Sequence, residues 1–435
     1  MGNRNDYDYF DADNFDDGYD GRDHRRRQQS HRQSSYNRRS SYNRRRSANR
    51  RRKNRRRTRN RVIIVISGIA VVVLFIMLLT FMFKGCTSSS PDPSSVSTDT
   101  ITKQEASAVA TEPQATTEPP KDDLSPTYFK TPSIKDDNTD GEFSNSIYVW
   151  NKAGYELFNS TTNASSYADA INSFAEKLSG ITVYDMVIPN HTEFGLPQRL
   201  KEGAAASSSQ ADNIKDIYSK LSDKVTPINA YNYLADHNTD YIYFNSDSYW
   251  TGLGAYYAYK AFADTNKLTP LSLDKCTENK VDGFTGSYSS SSGNINSDTV
   301  QYWELPYSVS AEVTDGSGTV TTYNSPYYSG ATAGSLTYGL FLMGDYNPLT
   351  VLKSSSDSAQ KGKKIAVVKE TYGNSFAPYL TDNYEEVHVI DFRTFRNVQT
   401  DLASYCNQNS IDEVLFINSI MSTNNQLDSM NSLFN

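Results

Sequence analysis

"KIAVVKETYGNSF" (residues 364–376) joins a short apolar run to a polar bend. The run 364–368 has the length and composition of a buried strand, and Gly373 permits a tight bend into a helix that begins near Asn374. A turn of this kind lifts a hydroxyl group above the end of a sheet, where backbone N–H groups can stabilise an oxyanion. Thr371 takes the exposed position of the turn. The stretch therefore predicts an α/β fold with a hydroxyl-bearing site at a strand end.

Similar apolar runs alternate with helix-like patterns over residues 126–435. The predicted strands are 146–150, 181–189, 240–245, 338–344, 386–390 and 413–417, and the predicted helices are 165–178, 211–222 and a tyrosine-rich helix that starts shortly after residue 250. Residues 266–335, rich in Gly, Ser, Tyr and Thr, predict an antiparallel insertion. Alternating strands and helices favour a mostly parallel sheet covered on both faces, which is a three-layer α/β/α domain. Function in such sheets lies at the carboxyl ends of the strands.

Residues 62–83 are an uncharged apolar run of 22 residues. As a helix rising about 1.5 Å per residue, the run spans roughly 33 Å, enough for a bilayer core of about 30 Å. It predicts a retained transmembrane helix. The arginine-rich flank before it predicts a cytoplasmic amino terminus, and hence a single-pass membrane protein with residues 84–435 outside the cell. Residues 84–125, rich in Ser, Thr and Pro, predict a flexible linker to the extracellular domain at 126–435.

The tail 1–61 is polar throughout and has no apolar period, so disorder is expected there. Residues 1–23 carry eight Asp and two Arg, whereas residues 24–61 carry seventeen Arg, one Lys and no acid. The basic half is expected to lie on anionic membrane lipid. Nucleic acid is the disfavoured alternative partner. Residues 62–435 hold 23 basic and 42 acidic residues, so the extracellular part is strongly acidic.

Several chemical classes have no motif in this chain. We find no P-loop and no dinucleotide-binding glycine pattern. The sequence also has no Cys/His spacing for zinc and no EF-hand loop, so neither a metal nor a cofactor is expected. Three cysteines in an exported chain are too few for a disulfide framework, and unpaired Cys276 and Cys406 are favoured over a bridge between them.

Two further predicted strand ends carry polar residues. Asp247–Trp250 follows the run 240–245, and Gly344–Asn347 follows the run 338–344. The stretches "SDSYWTGLGAYYAYKAF", "YGLFLMGDYNP" and "KKIAVVKETYGNSFAPYLTDNYEEVHVIDFRTF" resemble the DHHW family of exported bacterial proteins. That family is related to the SGNH-hydrolase-like domain of polysaccharide O-acetylation proteins. The resemblance implies an SGNH-like α/β/α sandwich that transfers an acyl group to or from a carbohydrate hydroxyl. It also implies a cell-envelope glycan, and envelope biosynthesis proteins, as candidate partners.

The resemblance assigns roles to individual positions. The residues matched to the family's orienting aspartate, tryptophan, serine and acidic neighbour are Asp247, Trp250, Thr371 and Glu370, and the oxyanion-side matches are Gly344 and Asn347. The family's two histidines are Ser248 and Tyr249 here. Tyr249 therefore stands where the catalytic base should be. Tyr249, Trp250 and Tyr372 are expected near the rim of the crevice, where Trp250 and Tyr372 would stack on sugar rings.

A missing base has a large chemical consequence. An imidazole with a pKa of about 6.5 can accept the proton of an attacking hydroxyl, whereas a phenol with a pKa of about 10 is protonated near neutral pH. Loss of the base alone costs about 10²–10⁴ in rate. The sequence therefore favours a catalytically impaired pseudoenzyme that binds envelope carbohydrate. One alternative is an active acetyltransferase or esterase that uses Glu370, Asp247 and His191. The other is a surface scaffold whose arginine-rich tail is the working part.

Overall fold

An eight-stranded sheet runs through the centre of the computed structural model, which describes residues 124–159, 163–331 and 337–434. All of these residues belong to one compact unit, 111–435. The strands are β1 (Glu142–Ser144), β2 (Ile147–Trp150), β3 (Ala153–Tyr155), β4 (Thr182–Ile188), β5 (Val225–Pro227), β6 (Thr277–Phe284), β7 (Asp298–Glu304), β8 (Val309–Thr314), β9 (Val320–Tyr323), β10 (Leu349–Ser354), β11 (Gln360–Lys369), β12 (Tyr384–Asp391) and β13 (Glu413–Ser419).

The helices are α1 (Asn163–Lys177), α2 (His191–Gly195), α3 (Gln198–Glu202), α4 (Gln210–Tyr218), α5 (Ala230–Asp236), α6 (Gly252–Thr265), α7 (Tyr372–Leu380), α8 (Leu402–Asn409), α9 (Ser422–Asn425) and α10 (Leu427–Asn431). Short 3-10 helices occur at Leu273–Lys275, Ser287–Ser290, Thr337–Leu340, Phe395–Asn397 and Ser432–Phe434.

The central sheet has the order β5-β4-β13-β11-β12-β10-β8-β9. The first five strands of that order are parallel, and β10, β8 and β9 continue the sheet in antiparallel pairing. The carboxyl ends of the parallel strands therefore meet at one edge. A mixed α/β fold with a large, mostly parallel sheet is confirmed.

Helices cover both faces of this sheet. Tyr184 and Asp185 are successive residues of β4, so their side chains point to opposite faces. The ring of Tyr184 packs against Phe262 of α6 with centroids 5.3 Å apart. The carboxylate of Asp185 accepts a hydrogen bond of 2.7 Å from the hydroxyl of Tyr167 in α1. α1 and α6 thus lie on opposite faces of the sheet.

The strongly periodic segments fold as expected. The predicted helix 165–178 corresponds to α1, whose residues Ala164, Tyr167, Ala168, Ile171 and Phe174 are buried at helical spacing. The predicted strands 364–368, 386–390 and 413–417 lie within β11, β12 and β13. Their apolar residues are nearly all buried because the sheet is covered on both sides.

Two predicted strands are wrong. Residues 240–245 form a loop that hydrogen-bonds to the residues just after it. The backbone bonds run from Phe244 N to Tyr249 O (3.2 Å) and from Thr251 N to Ile242 O (2.9 Å). Residues 338–344 form the end of a 3-10 helix and a left-handed turn in which Leu342 and Met343 have φ of 54° and 60°. Both runs are apolar because their side chains enter hydrophobic clusters, not because they pair in a sheet. The strand that follows the second run is β10, which the sequence reasoning missed.

The insertion 266–335 contains antiparallel strands, as expected, but it divides between two places. β6 and β7 form a separate two-stranded sheet. β8 and β9 instead extend the central sheet beside β10. The apolar alternation of β8 explains this placement, because Val309, Ala311 and Val313 are buried on one face.

The predicted tail 1–61, transmembrane helix 62–83 and most of the linker 84–125 lie outside the described residues. Among the residues that are described, no helix combines the length and hydropathy needed to cross a membrane. Cys276 and Cys406, the two cysteines in the described part of the chain, are both free thiols.

Gly373 offers a test of the turn between β11 and α7. A Cβ atom at this position would lie 2.4 Å from Cβ and 2.7 Å from Cγ of Lys369. We expect Gly373→Ala to lower the free energy of unfolding by about 1–3 kcal/mol, because overpacking outweighs the better helix propensity of alanine. Denaturant unfolding followed by circular dichroism measures the change.

Gly293→Ala is the matched control for this prediction. A Cβ atom at residue 293 meets no heavy atom within 4 Å. The control should therefore change stability by less than about 0.5 kcal/mol. Equal effects of the two substitutions would contradict the close approach at Gly373.

Candidate functional site

The candidate site lies where β11 ends and α7 begins. α7 starts at Tyr372, two residues earlier than expected. Thr371 has a right-handed helical φ of −53° and is only 2 % exposed. The prediction that the hydroxyl of Thr371 is exposed is therefore wrong. The helix begins so close to the strand end that Thr371 faces the loop between Gly344 and Asn347, where Asp345 lies.

A buried ion network surrounds the strand end. Lys369 is 3 % exposed, and its Nζ donates to Asp391 Oδ2 at 2.9 Å. Arg393 donates to the same carboxylate through Nε (2.8 Å) and Nη2 (2.5 Å). Arg393 Nη2 also lies 2.9 Å from Asp345 Oδ1. These four side chains join the ends of two neighbouring parallel strands to the loop that precedes β10.

The hydroxyl of Thr371 belongs to this network. Its Oγ1 donates to Asp345 Oδ2 at 2.6 Å and accepts from Arg393 Nη1 at 3.1 Å. Asn374, in the first turn of α7, donates to Asp345 Oδ1 at 3.1 Å. The proton of the threonine is therefore directed at a carboxylate that two other side chains also hold in place.

Tyr249 is the third neighbour of Thr371. The phenol hydrogen-bonds the threonine, and burial together with the charge of Asp247 raises the pKa of Tyr249 above its ordinary value. The ring stacks on Tyr338 with centroids 5.2 Å apart and meets Tyr372 edge-on at 5.4 Å. Because its pKa moves upward, Tyr249 stays protonated near neutral pH even more completely than a free tyrosine, so its phenolate is not available as a base.

The carboxylate of Asp247 accepts hydrogen bonds from backbone N–H groups and does not orient a catalytic base. Its Oδ1 accepts from Ser248 N at 2.7 Å, and its Oδ2 accepts from Ser287 N at 2.7 Å. Burial raises the pKa of Asp247, and these backbone N–H groups oppose the shift. A Cβ atom at Gly286 would lie 2.3 Å from Oδ2. Asp247 therefore holds the start of the 3-10 helix Ser287–Ser290 against the loop 244–250.

Glu370 directly follows β11 and contacts the end of the neighbouring strand β13. Its Oε1 accepts from Ser419 N at 2.8 Å and from Ser422 Oγ at 2.7 Å. Glu156 lies close enough for the charge of Glu370, after burial, to raise its pKa. Sequence reasoning missed Glu156, which follows the short strand β3 and is separated from Glu370 by a long stretch of chain.

Trp250 and Tyr372 do not lie at the rim of the crevice. Trp250 is fully buried, and its Nε1 donates to Tyr372 O at 2.9 Å and to Ser375 Oγ at 3.0 Å. Tyr372 is 2 % exposed and donates its hydroxyl to Ser248 O. The expectation that these two rings stack on sugar fails because both rings join α7 to the loop before α6.

The two oxyanion-side positions have structural partners. Gly344 has φ of 115°, and its N–H donates to Phe341 O at 3.1 Å. The side-chain amide of Asn347 donates to Leu342 O at 3.1 Å. Both donors therefore form hydrogen bonds within the loop 341–347 and stabilise its conformation. The residue that this loop brings to Thr371 is Asp345, which the sequence reasoning did not select.

The three histidines in the described part of the chain contact residues other than Thr371. His191 packs between Tyr155 (centroid distance 4.7 Å) and Tyr243 (5.5 Å), and burial lowers its pKa to about 4. Its Nδ1 is buried without a hydrogen-bond partner. His237 pairs with Asp240 at 3.0 Å, and His388 contacts Tyr405 at 2.6 Å. The acceptor at Thr371 is therefore the carboxylate of Asp345 and not one of these imidazoles.

The described residues contain no group of three or more His, Cys, Asp or Glu side chains arranged to hold a metal ion. The acidic stretch 135–142 is held by Arg199, which donates to Asp136 at 2.9 Å and to Asp140 at 2.6 Å.

The Asp391 ion network generates a stability prediction. Although burial alone would raise it, Lys369 and Arg393 lower the pKa of Asp391 to about 2. Asp391→Asn leaves two cations without their main partner, and breaking a buried pair in this way costs about 3–5 kcal/mol. Urea unfolding at pH 7 should show this loss. Asp216→Asn, which removes an exposed partner of Lys220, should change stability by less than about 1 kcal/mol.

The same variant has a predictable pH dependence. The ionised carboxylate of Asp391 stabilises the fold fully above about pH 4, the ordinary pKa of an aspartate. That contribution is lost as the pH falls from about 4 towards 2, where Asp391 becomes protonated in the folded protein. The stability difference between wild type and Asp391→Asn should therefore shrink across this range. A difference that stays constant down to pH 2 would contradict the network.

A DHHW family protein from Eubacterium siraeum DSM 15702 has a similar structure, with a TM-score of 0.61 and 26% identity over 68% of this chain and 99% of that chain. Bacillus cereus PatB1, solved with a sulfonyl adduct, has a TM-score of 0.54 and 20% identity over 66% of this chain and 97% of that chain. Because the sequence identity to PatB1 is low, this similarity shows only that the two proteins share a fold.

The O-acetyltransferase domain of Pseudomonas putida AlgJ has a weaker likeness, with a TM-score of 0.39 and 10% identity over 67% of this chain and 98% of that chain. Curated proteins contain no sequence that matches the chain. The family model described as DHHW protein matches residues 118–390. Because this match covers more than half of the chain and includes the Asp247 loop and the Thr371 turn, the protein belongs to the DHHW family.

Proposed function

We propose that the protein is a catalytically impaired DHHW family member, anchored in the cell membrane, whose extracellular domain binds a cell-envelope glycan. The observation that carries the loss of catalysis is the environment of Thr371. Its hydroxyl is buried, donates to Asp345 at 2.6 Å, and has a phenol where the family resemblance expects an imidazole. A hydroxyl needs a neighbouring base near neutral pH to become a nucleophile.

The charge beside Thr371 also argues against acyl transfer. An attack by Oγ1 on an ester carbonyl places negative charge on the carbonyl oxygen, which needs hydrogen-bond donors nearby. The nearest acceptor-only group is Asp345, and the positive charge of Arg393 is shared between Asp345 and Asp391. An oxyanion that developed on the Asp345 side would therefore meet a carboxylate, and the cationic donor Arg393 Nη1 is already bonded to Thr371 Oγ1. This arrangement disfavours acyl transfer in addition to lacking an imidazole base.

A second candidate function is an active esterase or acetyltransferase with rearranged groups. One observation favours it: the threonine proton already points at a carboxylate at 2.6 Å. Asp345 would then accept that proton in place of an imidazole. Aspartate is the weaker base, because its ordinary pKa of about 3.9 lies well below the value of about 6.5 for histidine.

A sulfonyl fluoride separates the two candidates. An activated hydroxyl forms a bond from its oxygen to the sulfur, the S–F bond breaks, fluoride leaves, and the hydroxyl proton passes to the base. We incubate the full chain, in mild detergent, with phenylmethanesulfonyl fluoride and measure the mass of the peptide that carries Thr371. We expect no adduct in the wild-type protein. An adduct that disappears in both Thr371→Ala and Asp345→Asn would establish the active candidate.

The double variant Tyr249→His/Thr371→Ser is the positive control. It restores an imidazole next to a less hindered hydroxyl and should react at least about 10²-fold faster than wild type, since a base contributes 10²–10⁴. An unreactive double variant would mean that these two positions alone do not account for the loss of chemistry.

The placement in the membrane rests on the run 62–83 and its arginine-rich flank. The tail 24–61 is proposed to lie on anionic lipid at the cytoplasmic surface. We expect externally added protease on intact cells to cleave the linker 84–125 and to spare an epitope tag placed before residue 24. Cleavage of the tag with the membrane intact would reverse the proposed orientation.

A further inference from the structure

A carboxylic acid lies inside the core on the α1 side of the central sheet. Asp185 is 0 % exposed, and its neighbours along β4 are the buried residues Tyr184 and Met186. An acidic side chain is almost never fully buried unless a cation or several hydrogen-bond donors accompany it. Asp185 belongs neither to the candidate site nor to the ion network around Asp391, so its burial needs a separate explanation.

One hydroxyl group accompanies Asp185. Tyr167 of α1 donates to Asp185 Oδ1 at 2.7 Å and accepts from Asn418 Nδ2 at 2.7 Å. Asp185 is in register with Phe416 of β13, so Asn418, two residues further along β13, projects from the same face of the sheet. The side chains of Tyr167, Asp185 and Asn418 are all fully buried, and we call them the Asp185 cluster. The cluster joins α1 to strands β4 and β13.

The Asp185 cluster has more acceptors than donors. Asp185 Oδ2 and Asn418 Oδ1 are both buried and have no hydrogen-bond partner among the described residues. The single proton of the Tyr167 hydroxyl is already donated to Asp185 Oδ1. Buried polar atoms without a partner are costly, so each of them requires a physical reason. A proton on Asp185 Oδ2 would change an unpartnered acceptor into a donor beside a second unpartnered acceptor.

The charges around Asp185 favour its protonated form. In the described part of the chain, the titratable groups that face it are the phenols of Tyr167 and Tyr218, and no cation is among them. The Tyr218 hydroxyl donates to a backbone carbonyl at 2.9 Å. On the flanking strands, the residues in register with Asp185 are Pro227 and Phe416, which carry no charge. Burial raises the pKa of Asp185 to about 7, and the Tyr167 hydrogen bond opposes only part of this rise.

We infer that the Asp185 cluster is a pH-sensitive switch, which holds α1 firmly against the central sheet only while Asp185 is protonated. The protonated cluster is neutral, and Asp185 Oδ2 can donate to Asn418 Oδ1. The ionised cluster places a charge without a cation in the core, so α1 is held less firmly. This switch is independent of the proposed function. It lies next to the candidate site, because Asn418 precedes Ser419, whose N–H donates to Glu370 at 2.8 Å.

The direction of the pH dependence follows from the two states of the chain. Unfolded Asp185 loses its proton near the ordinary pKa of about 3.9. Folded Asp185 keeps its proton up to a pKa of about 7. Between these values the folded protein holds one more proton than the unfolded chain, so a rise in pH increases the unfolding equilibrium constant by up to about tenfold per pH unit. The contribution of Asp185 is therefore lost as the pH rises towards neutrality.

Urea unfolding of the full chain in mild detergent, from about pH 4.5 to about pH 8.5, tests the switch. Tryptophan fluorescence reports on the domain, because all three tryptophans lie within it. Asp185→Asn keeps the size of the side chain and is neutral at every pH. We expect the unfolding constant of wild type, relative to that of Asp185→Asn, to rise at least about tenfold over this range. A constant ratio would overturn the inference.

Asp216→Asn is the matched control, because Asp216 is an exposed acid that pairs with Lys220. The unfolding constant of wild type relative to this variant should stay within about twofold over the same pH range. Tyr167→Phe is a second variant, which removes the hydrogen bond that favours ionised Asp185. Its loss of stability should therefore occur at a higher pH than that of wild type. A loss at the same or a lower pH would contradict the role of Tyr167.

Two further measurements follow the proton and the helix directly. The infrared difference between wild type and Asp185→Asn should contain the carbonyl band of a protonated carboxyl group at about pH 5 and lose it by about pH 9. Amide hydrogen exchange in α1, corrected for its intrinsic pH dependence, should be faster in wild type than in Asp185→Asn at about pH 9. An ionised Asp185 at about pH 5, or equal exchange of α1 in both proteins at about pH 9, would overturn the inference.

Discussion

The pairing of Lys369 and Arg393 with Asp391 is the interaction on which the candidate site depends. Lys369 ends β11 and Asp391 ends β12, so the pair joins two neighbouring parallel strands where the central sheet stops. Removing such ions from water costs several kcal/mol each, and only close mutual contact recovers that energy. The 2.9 Å and 2.5 Å contacts provide it. Arg393 then extends to Asp345, and through Asp345 the network holds Thr371.

The ion network accounts for the position of the Thr371 hydroxyl. With the hydroxyl of Thr371 placed between Asp345, Arg393 and Tyr249, the position that would hold a reactive group becomes part of the interior hydrogen bonding. Asp247 likewise uses its carboxylate on the backbone of Ser248 and Ser287. Thr371 and Asp247 thus both hydrogen-bond to neighbouring loops.

The sequence located the turn of Thr371 and the loop of Asp247, because each carries a local pattern that depends on a few neighbouring residues. It did not locate Asp345, Lys369 or Arg393 as site residues, because their roles arise only from contacts across 22 to 48 positions of chain. One signal was available: Asp391 and Arg393 follow the apolar run 386–390 directly, as polar residues do at a functional strand end. The runs 240–245 and 338–344 were wrongly predicted to be strands. Side chains buried in a hydrophobic cluster and side chains buried in a sheet give the same apolar composition.

By itself, the sequence determined the α/β class, the helices and strands with strong periodicity, and the absence of an imidazole next to the tryptophan of the Asp247 loop. These properties follow from the order of residue types along a short stretch, which needs no partner from elsewhere. Only the tertiary structure decided that Thr371 is buried, that Trp250 and Tyr372 are internal, and that Tyr346 faces solvent. Burial and ion pairing depend on which distant segments pack together, and the depth of a side chain is a property of the packed fold and not of its sequence neighbours.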